Sequence, residues 1–173
     1  MENDKYKTEK ITVNILSVAF FASLVIFIAV CEYILMTPGM AKSLPAFSGN
    51  IATLLRGVFS VISVFLIFYV YNMKGAIARG KEGFYKKMAV WMVQNQANGA
   101  NGSPAGTLVT LFAAAESIGV LGMAMFLLTG GSRFEAYPFF MISFIAMLLA
   151  LPKGNDLDAI IKFYEENKKP VTR

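Results

Sequence analysis

The sequence predicts an all-α polytopic membrane protein, a single domain built as a four-transmembrane-helix bundle with short amphipathic helices on the cytoplasmic side. Three observations predict it. Of 173 residues, 56% are hydrophobic and only 16% charged, where soluble chains carry about a quarter charged residues, so too few ionisable side chains exist to cover a water-facing surface. Apolar stretches broken by at most one charge recur along the chain, at or near the length of about 18 residues that a bilayer-crossing helix needs. The basic residues gather in alternate connections between those stretches.

The first span covers 11–35. It is preceded by MENDKYKTEK, whose three lysines and three acids make a poor signal-peptide n-region, and its apolar run is too long for an h-region, so it reads as an anchor that stays attached. A turn-rich segment, TPGMAKSLPAFSGN, leads to a second span over 51–71. The third span covers 106–129 and ends at Gly130-Gly131-Ser132, read as a helix stop. The fourth, over 136–151, opens with Tyr137 and Pro138 as a first-turn proline; it is short for a full crossing, and a re-entrant segment is the alternative.

Lys5, Lys7 and Lys10 precede the first span. Lys74, Arg79, Lys81, Lys86 and Lys87 lie between the second and third, and Lys153, Lys162, Lys168, Lys169 and Arg173 follow the fourth. The opposite connections hold only Lys42 and Arg133, so the positive-inside bias places both termini and the long middle connection in the cytoplasm. An interfacial helix is predicted over 76–95, with Ile77, Phe84, Met88 and Trp91 on one face and Lys81, Lys86 and Lys87 beside it; Trp91, Lys86 and Lys87 are its anchors to the inner leaflet. Asn101-Gly102-Ser103 matches a glycosylation sequon, which on the cytoplasmic side carries no meaning. A C-terminal amphipathic helix is predicted over 156–168, capped by Asn155 or Asp156, with the stripe Leu157, Ile160, Ile161 and Tyr164 and with Lys168 and Lys169 before Pro170. That stripe must lie on lipid, on the end of the bundle or on a partner.

Composition also excludes chemistry. With no histidine in the chain, bis-histidine haem, most zinc and copper sites, and every Ser/His or Cys/His catalytic arrangement are excluded. Cys31 has no partner for an internal disulfide and reads as a small buried apolar residue. Asp4, Asp156 and Asp158 all lie outside the spans, which argues against intramembrane aspartyl proteases, and no P-loop or dinucleotide-binding glycine motif occurs. The formal charge of +5 belongs to membrane topology rather than to nucleic acid, for which no module is present. No catalytic residues, metal site or cofactor are expected.

Three ionisable residues fall inside predicted spans: Glu32, Arg56 and Glu116. A charge in hydrocarbon is costly unless paired, hydrated or neutralised, so each is a candidate functional residue. At 1.5 Å per residue, Glu32 lies about 5 Å and Arg56 about 8 Å from the outer ends of adjacent antiparallel spans, which predicts a structural Glu32–Arg56 ion pair. Glu116 lies near mid-span, too deep to snorkel. Ala115, Gly119 and Gly122 form a small-residue face beside it, which predicts close helix packing there and places Glu116 against protein. The carboxyl is then either protonated and hydrogen-bonded or ionised and paired with Arg56.

The segment AAAESIGVLGMAMFLLTGG, followed by YPFFMISFIAMLLALP, resembles the second half of a set of uncharacterised four-helix bacterial inner-membrane proteins with an A-x-x-E-x-x-G-x-x-G third helix and a Tyr-Pro-led fourth. The carboxylate in a small-residue helix is also similar to the proteolipid subunit c of rotary ATPases. That resemblance implies that Glu116 corresponds to the ion-carrying carboxylate. The second span, IATLLRGVFSVISVFLIFYVY, departs from the proteolipid pattern: it has no glycine ladder and carries Arg56. Two expectations follow. The chain is a non-catalytic subunit or scaffold that packs with other membrane subunits or copies of itself in the lipid bilayer; or it is a small oligomeric proton- or cation-coupled transporter or channel working through Glu116.

Overall fold

A computed structural model describes residues 2–37, 39–47, 49–96, 104–153 and 155–167. They form an all-helical protein: α1 (Glu2–Met36), a 3-10 turn (Ala41–Ser43), α2 (Asn50–Arg79), α3 (Phe84–Gln96), α4 (Pro104–Leu128), α5 (Arg133–Ala150) and α6 (Asp156–Asn167). Of these, α1, α2, α4 and α5 are long and apolar enough to cross a membrane. Asn101-Gly102-Ser103, Lys168, Lys169 and Pro170 lie outside the described residues.

Helix boundaries follow the local chemistry and correct several expectations. No glycine or proline interrupts the chain before Pro38, so α1 begins at Glu2, well ahead of residue 11. The predicted interfacial helix over 76–95 is two elements. Its first residues continue α2 to Arg79; Gly80, at φ +63°, turns the chain left-handed with its N–H on the Gly75 carbonyl, and α3 starts only after Gly83 at φ +127°. Ile77 is therefore buried on α2, while α3 buries Ala89 and Val93 and leaves Phe84 and Trp91 outward. Lys86 pairs with Glu82, and Lys87 is exposed. Helix α5 starts at Arg133, which moves Pro138 from the first turn into the second. Its 18 residues span about 27 Å at 1.5 Å each, close to the thickness of a hydrocarbon core.

The helices pack around an α4–α5 hairpin. In the most apolar 18-residue stretch of α4, 44% of the residues are buried, against 17% in that of α1 and 6% in that of α2, so α4 forms the centre and the apolar stretches of the first two helices the periphery. Helices α1 and α2 each pack on α4 and α5, and among the described residues they form no substantial interface with each other. The small-residue face of α4 is what lets the neighbours approach. A Cβ on Gly119 would stand 3.1 Å from Leu24 Cδ1 and 3.3 Å from Ser143 Oγ, and one on Gly122 only 2.8 Å from Phe139 Cβ and 3.0 Å from the Ala136 carbonyl. Ser143 Oγ donates to the Ala115 carbonyl at 2.8 Å, and Phe20 stacks on Phe112. Outward, α1 and α2 present Ile15, Val18, Val25, Leu54, Val64 and Phe65, each more than three-fifths exposed, which fits lipid and not water.

The connection between α1 and α2 is strapped to the end of α4. Phe47 N–H bonds the Leu128 carbonyl, Gly130 N–H bonds the Pro45 carbonyl, and Gly131 N–H closes the helix on Phe126 O. Gly130 and Gly131, at φ +69° and +83°, supply the left-handed backbone that this stop requires. At the other end, α6 lies on α2, α3 and α4 and buries Leu157, Ile160, Phe163 and Tyr164, with Ile161 half-buried against the same core.

Candidate functional site

Three polar clusters interrupt the apolar packing. At the α4–α5 connection, both in-span charges of α1 and α2 are answered from the start of α5. Arg56 Nε donates to Glu135 Oε2 at 2.8 Å and its Nη2 to the other carboxylate oxygen, while Arg133 Nε donates to Glu32 Oε1 at 2.9 Å and its Nη2 to Oε2. The Tyr137 hydroxyl donates to Glu32 as well. The expected Glu32–Arg56 pair is thus not formed, because α1 and α2 lie against different parts of the α4–α5 hairpin.

The charges at the start of α5 divide by helical geometry. Arg133 and Glu135 stand about 200° apart around the helix, so they reach in opposite directions, whereas Tyr137, one turn beyond Arg133, joins it on Glu32. The signal in the sequence was R-F-E-A-Y itself, opposite charges at i and i+2 opening a helix. A side-on, two-bond fork fixes geometry as well as charge. Double-mutant cycles in detergent should therefore give non-additive losses for Arg56 with Glu135 and for Glu32 with Arg133, and additive losses for Arg56 with Glu32. Coupling confined to Arg56 and Glu32 would sink this assignment.

The second cluster was not expected. Lys74 is 7% exposed, and its ammonium donates to the Leu151 carbonyl at 2.6 Å and lies 3.1 Å from Asp156 Oδ2. It closes the C-terminus of α5 and faces the acidic first turn of α6, both favourable positions for the helix dipoles. Lys153 N–H donates to the same Asp156 oxygen at 3.0 Å. Burial by itself would raise the Asp156 carboxyl, but the Lys153 N–H, Lys74, and the charge of Arg79 outweigh it and hold the group below the usual aspartate value. Nothing local separates Lys74 from the other basic residues of its segment; only the packing of α2 against the α5–α6 corner does.

Glu116 is the third. It is partly exposed on α4, at the border between buried Phe112 and Gly119 and outward Ala113, Ser117 and Val120. Arg56 is taken by Glu135, and among the described residues Glu116 has no hydrogen bond or ion pair. Ala115, Gly119 and Gly122 do face the packed side, and Glu116, half-exposed, lies at its edge. As residue 13 of a 25-residue helix, Glu116 lies about 18 Å along the axis from either end.

Between α2 and α5, two hollows remain. One of about 360 Å³ adjoins Arg56, Ser60, Glu135 and Ile142, and one of about 70 Å³ adjoins Lys74, Arg79 and Lys153. These features define the class: an all-helical protein with four helices long and apolar enough to span a membrane, with three ion pairs between helices near their ends. Comparison of the chain with models of known protein families, with curated proteins and with solved structures gave no match.

Proposed function

We propose that the chain is a non-catalytic integral membrane subunit or scaffold, a four-span bundle that packs within a larger membrane protein complex. The observation that carries the reading is Glu116. A carboxylate some 18 Å from either helix end, without a partner among the described residues, borders an outward strip of small side chains, Ala113 and Ser117. Facing lipid, that group is costly; facing a second protein, it gains a hydrogen-bond partner and a surface that admits close helix approach. The sparse burial of the apolar stretch of α2 agrees with further contacts. The basic residues favour both termini on the cytoplasmic face, and the resemblance of the third and fourth spans to bacterial proteins favours an inner membrane.

The test is the mass of the gently extracted native particle, with a photo-reactive side chain at position 117. The expected result is a particle larger than the 19.0 kDa chain and an adduct from position 117 to one defined membrane protein. A monomeric particle with only lipid adducts would overturn the subunit reading.

The same unpaired carboxylate supports a second reading, a small oligomeric proton- or cation-coupled transporter or channel. An adduct to a second copy would bring it forward. Glu116→Gln keeps the hydrogen bonding of a protonated acid and removes the titration; loss of a pH-dependent ion flux in reconstituted vesicles, with assembly intact, is then expected. Absence of flux from the unaltered protein would exclude this reading.

A further inference from the structure

We infer that the hollow between the C-terminal turns of α2 and the end of α5 is a binding site for the phosphodiester headgroup of an anionic phospholipid. Its floor is Lys74, with Tyr71, Gly75 and Arg79 on the α2 side and Leu148, Leu149 and Lys153 on the α5 side. Lys81 packs on two of these residues: its ammonium lies 5.1 Å from the centre of the Tyr71 ring, and its stem covers Gly75, where a Cβ would come within 3.1 Å of Lys81 Cδ. Three cations, Lys74, Arg79 and Lys153, thus line about 70 Å³ of space, and Lys81 stands beside them.

The charge balance points to an anion. Asp156 is the acid paired to Lys74, and among the described residues neither Arg79 nor Lys153 is engaged in an ion pair through its side chain. The Lys74 ammonium has three N–H donors, two of which are directed to the Leu151 carbonyl and Asp156, so one is left for a ligand oxygen. The site's position selects the source. It lies where two candidate spans end, and the apolar residues at its mouth, Leu148 and Leu149, continue along α5 through outward Ile145 and Phe144. A lipid can set its phosphate among the cations and its chains on that surface, whereas a free phosphate has no use for the apolar part. The inference rests on the membrane placement proposed above and not on the subunit role.

The test uses the full chain in neutral detergent. Phosphatidylglycerol is expected to raise the thermal midpoint and remain bound in native mass spectra, while phosphatidylcholine, and glycerol phosphate at matched concentration, do neither. Arg79→Gln with Lys153→Gln should weaken phosphatidylglycerol binding about thirtyfold, at about fivefold for each cation near a headgroup. Lys87→Gln with Lys162→Gln, at the same end but outside the hollow, should leave binding unchanged. Equal responses to the two lipids, a glycerol phosphate effect matching that of the lipid, or equal losses in the two double variants would each overturn the site. If the first pair does not fold, the lipid comparison on the unaltered chain decides. Failure to float with vesicles of any composition would overturn the membrane placement itself.

Discussion

Gly122→Leu is expected to cost about 3 kcal/mol of stability in detergent and to loosen α5 from α4. The first added atom already meets Phe139 Cβ at 2.8 Å and the Ala136 carbonyl at 3.0 Å, and a backbone carbonyl within a helix cannot step aside as a side-chain tip can. The rest of the leucine then has no room unless the helices part. Gly57 is the natural control: a Cβ there meets nothing within 4 Å, and Gly57→Ala removes a flexible residue from the interior of α2. It should be neutral or gain up to about 1 kcal/mol. Thermal unfolding of the two variants beside the unaltered chain distinguishes close packing at Gly122 from a general intolerance of glycine substitution; equal midpoints would exclude close packing.

Lys74→Met should detach α6 selectively. The substitution keeps an unbranched side chain of similar length but removes both polar contacts of the ammonium, leaving the Leu151 carbonyl and the Asp156 carboxylate without it. A loss of about 2 kcal/mol is expected, read as faster hydrogen exchange across residues 157–167, with α4 and α5 unaffected ahead of the last turn of α5. The pH dependence follows from Asp156. Because its carboxyl is held below its ordinary value in the folded protein, its contribution is fully present above about pH 4 and is lost as the pH falls through the lower, folded value. Exchange in α6 should therefore accelerate on acidification below that point, and Asp156→Asn should remove this acid-sensitive part. An α6 whose protection is unchanged in Lys74→Met would mean that its apolar stripe alone holds it.

The division between what was legible in the sequence and what was not has a physical origin. Apolar runs, glycine and proline punctuation, and the small-residue spacing of Ala115, Gly119 and Gly122 are local properties, and each is matched by a helix, a stop or a packed face. By itself, the sequence determined that the protein is all-helical, that four helices suit a membrane, and that α6 is amphipathic. Matching depths made Glu32 and Arg56 natural partners, but depth along an axis says nothing of which helices are neighbours. Tertiary structure decided that: α4 and α5 occupy the centre, α1 and α2 each lean on them, and the two arms of the α5 first turn take Glu32 and Arg56 separately. It also decided that Lys74 is buried at a helix corner, that α6 rests on this chain's own helices, and that Glu116 lies at the edge of the packed face. Spacing determines which side of a helix a residue occupies; only the arrangement of helices determines what that side meets.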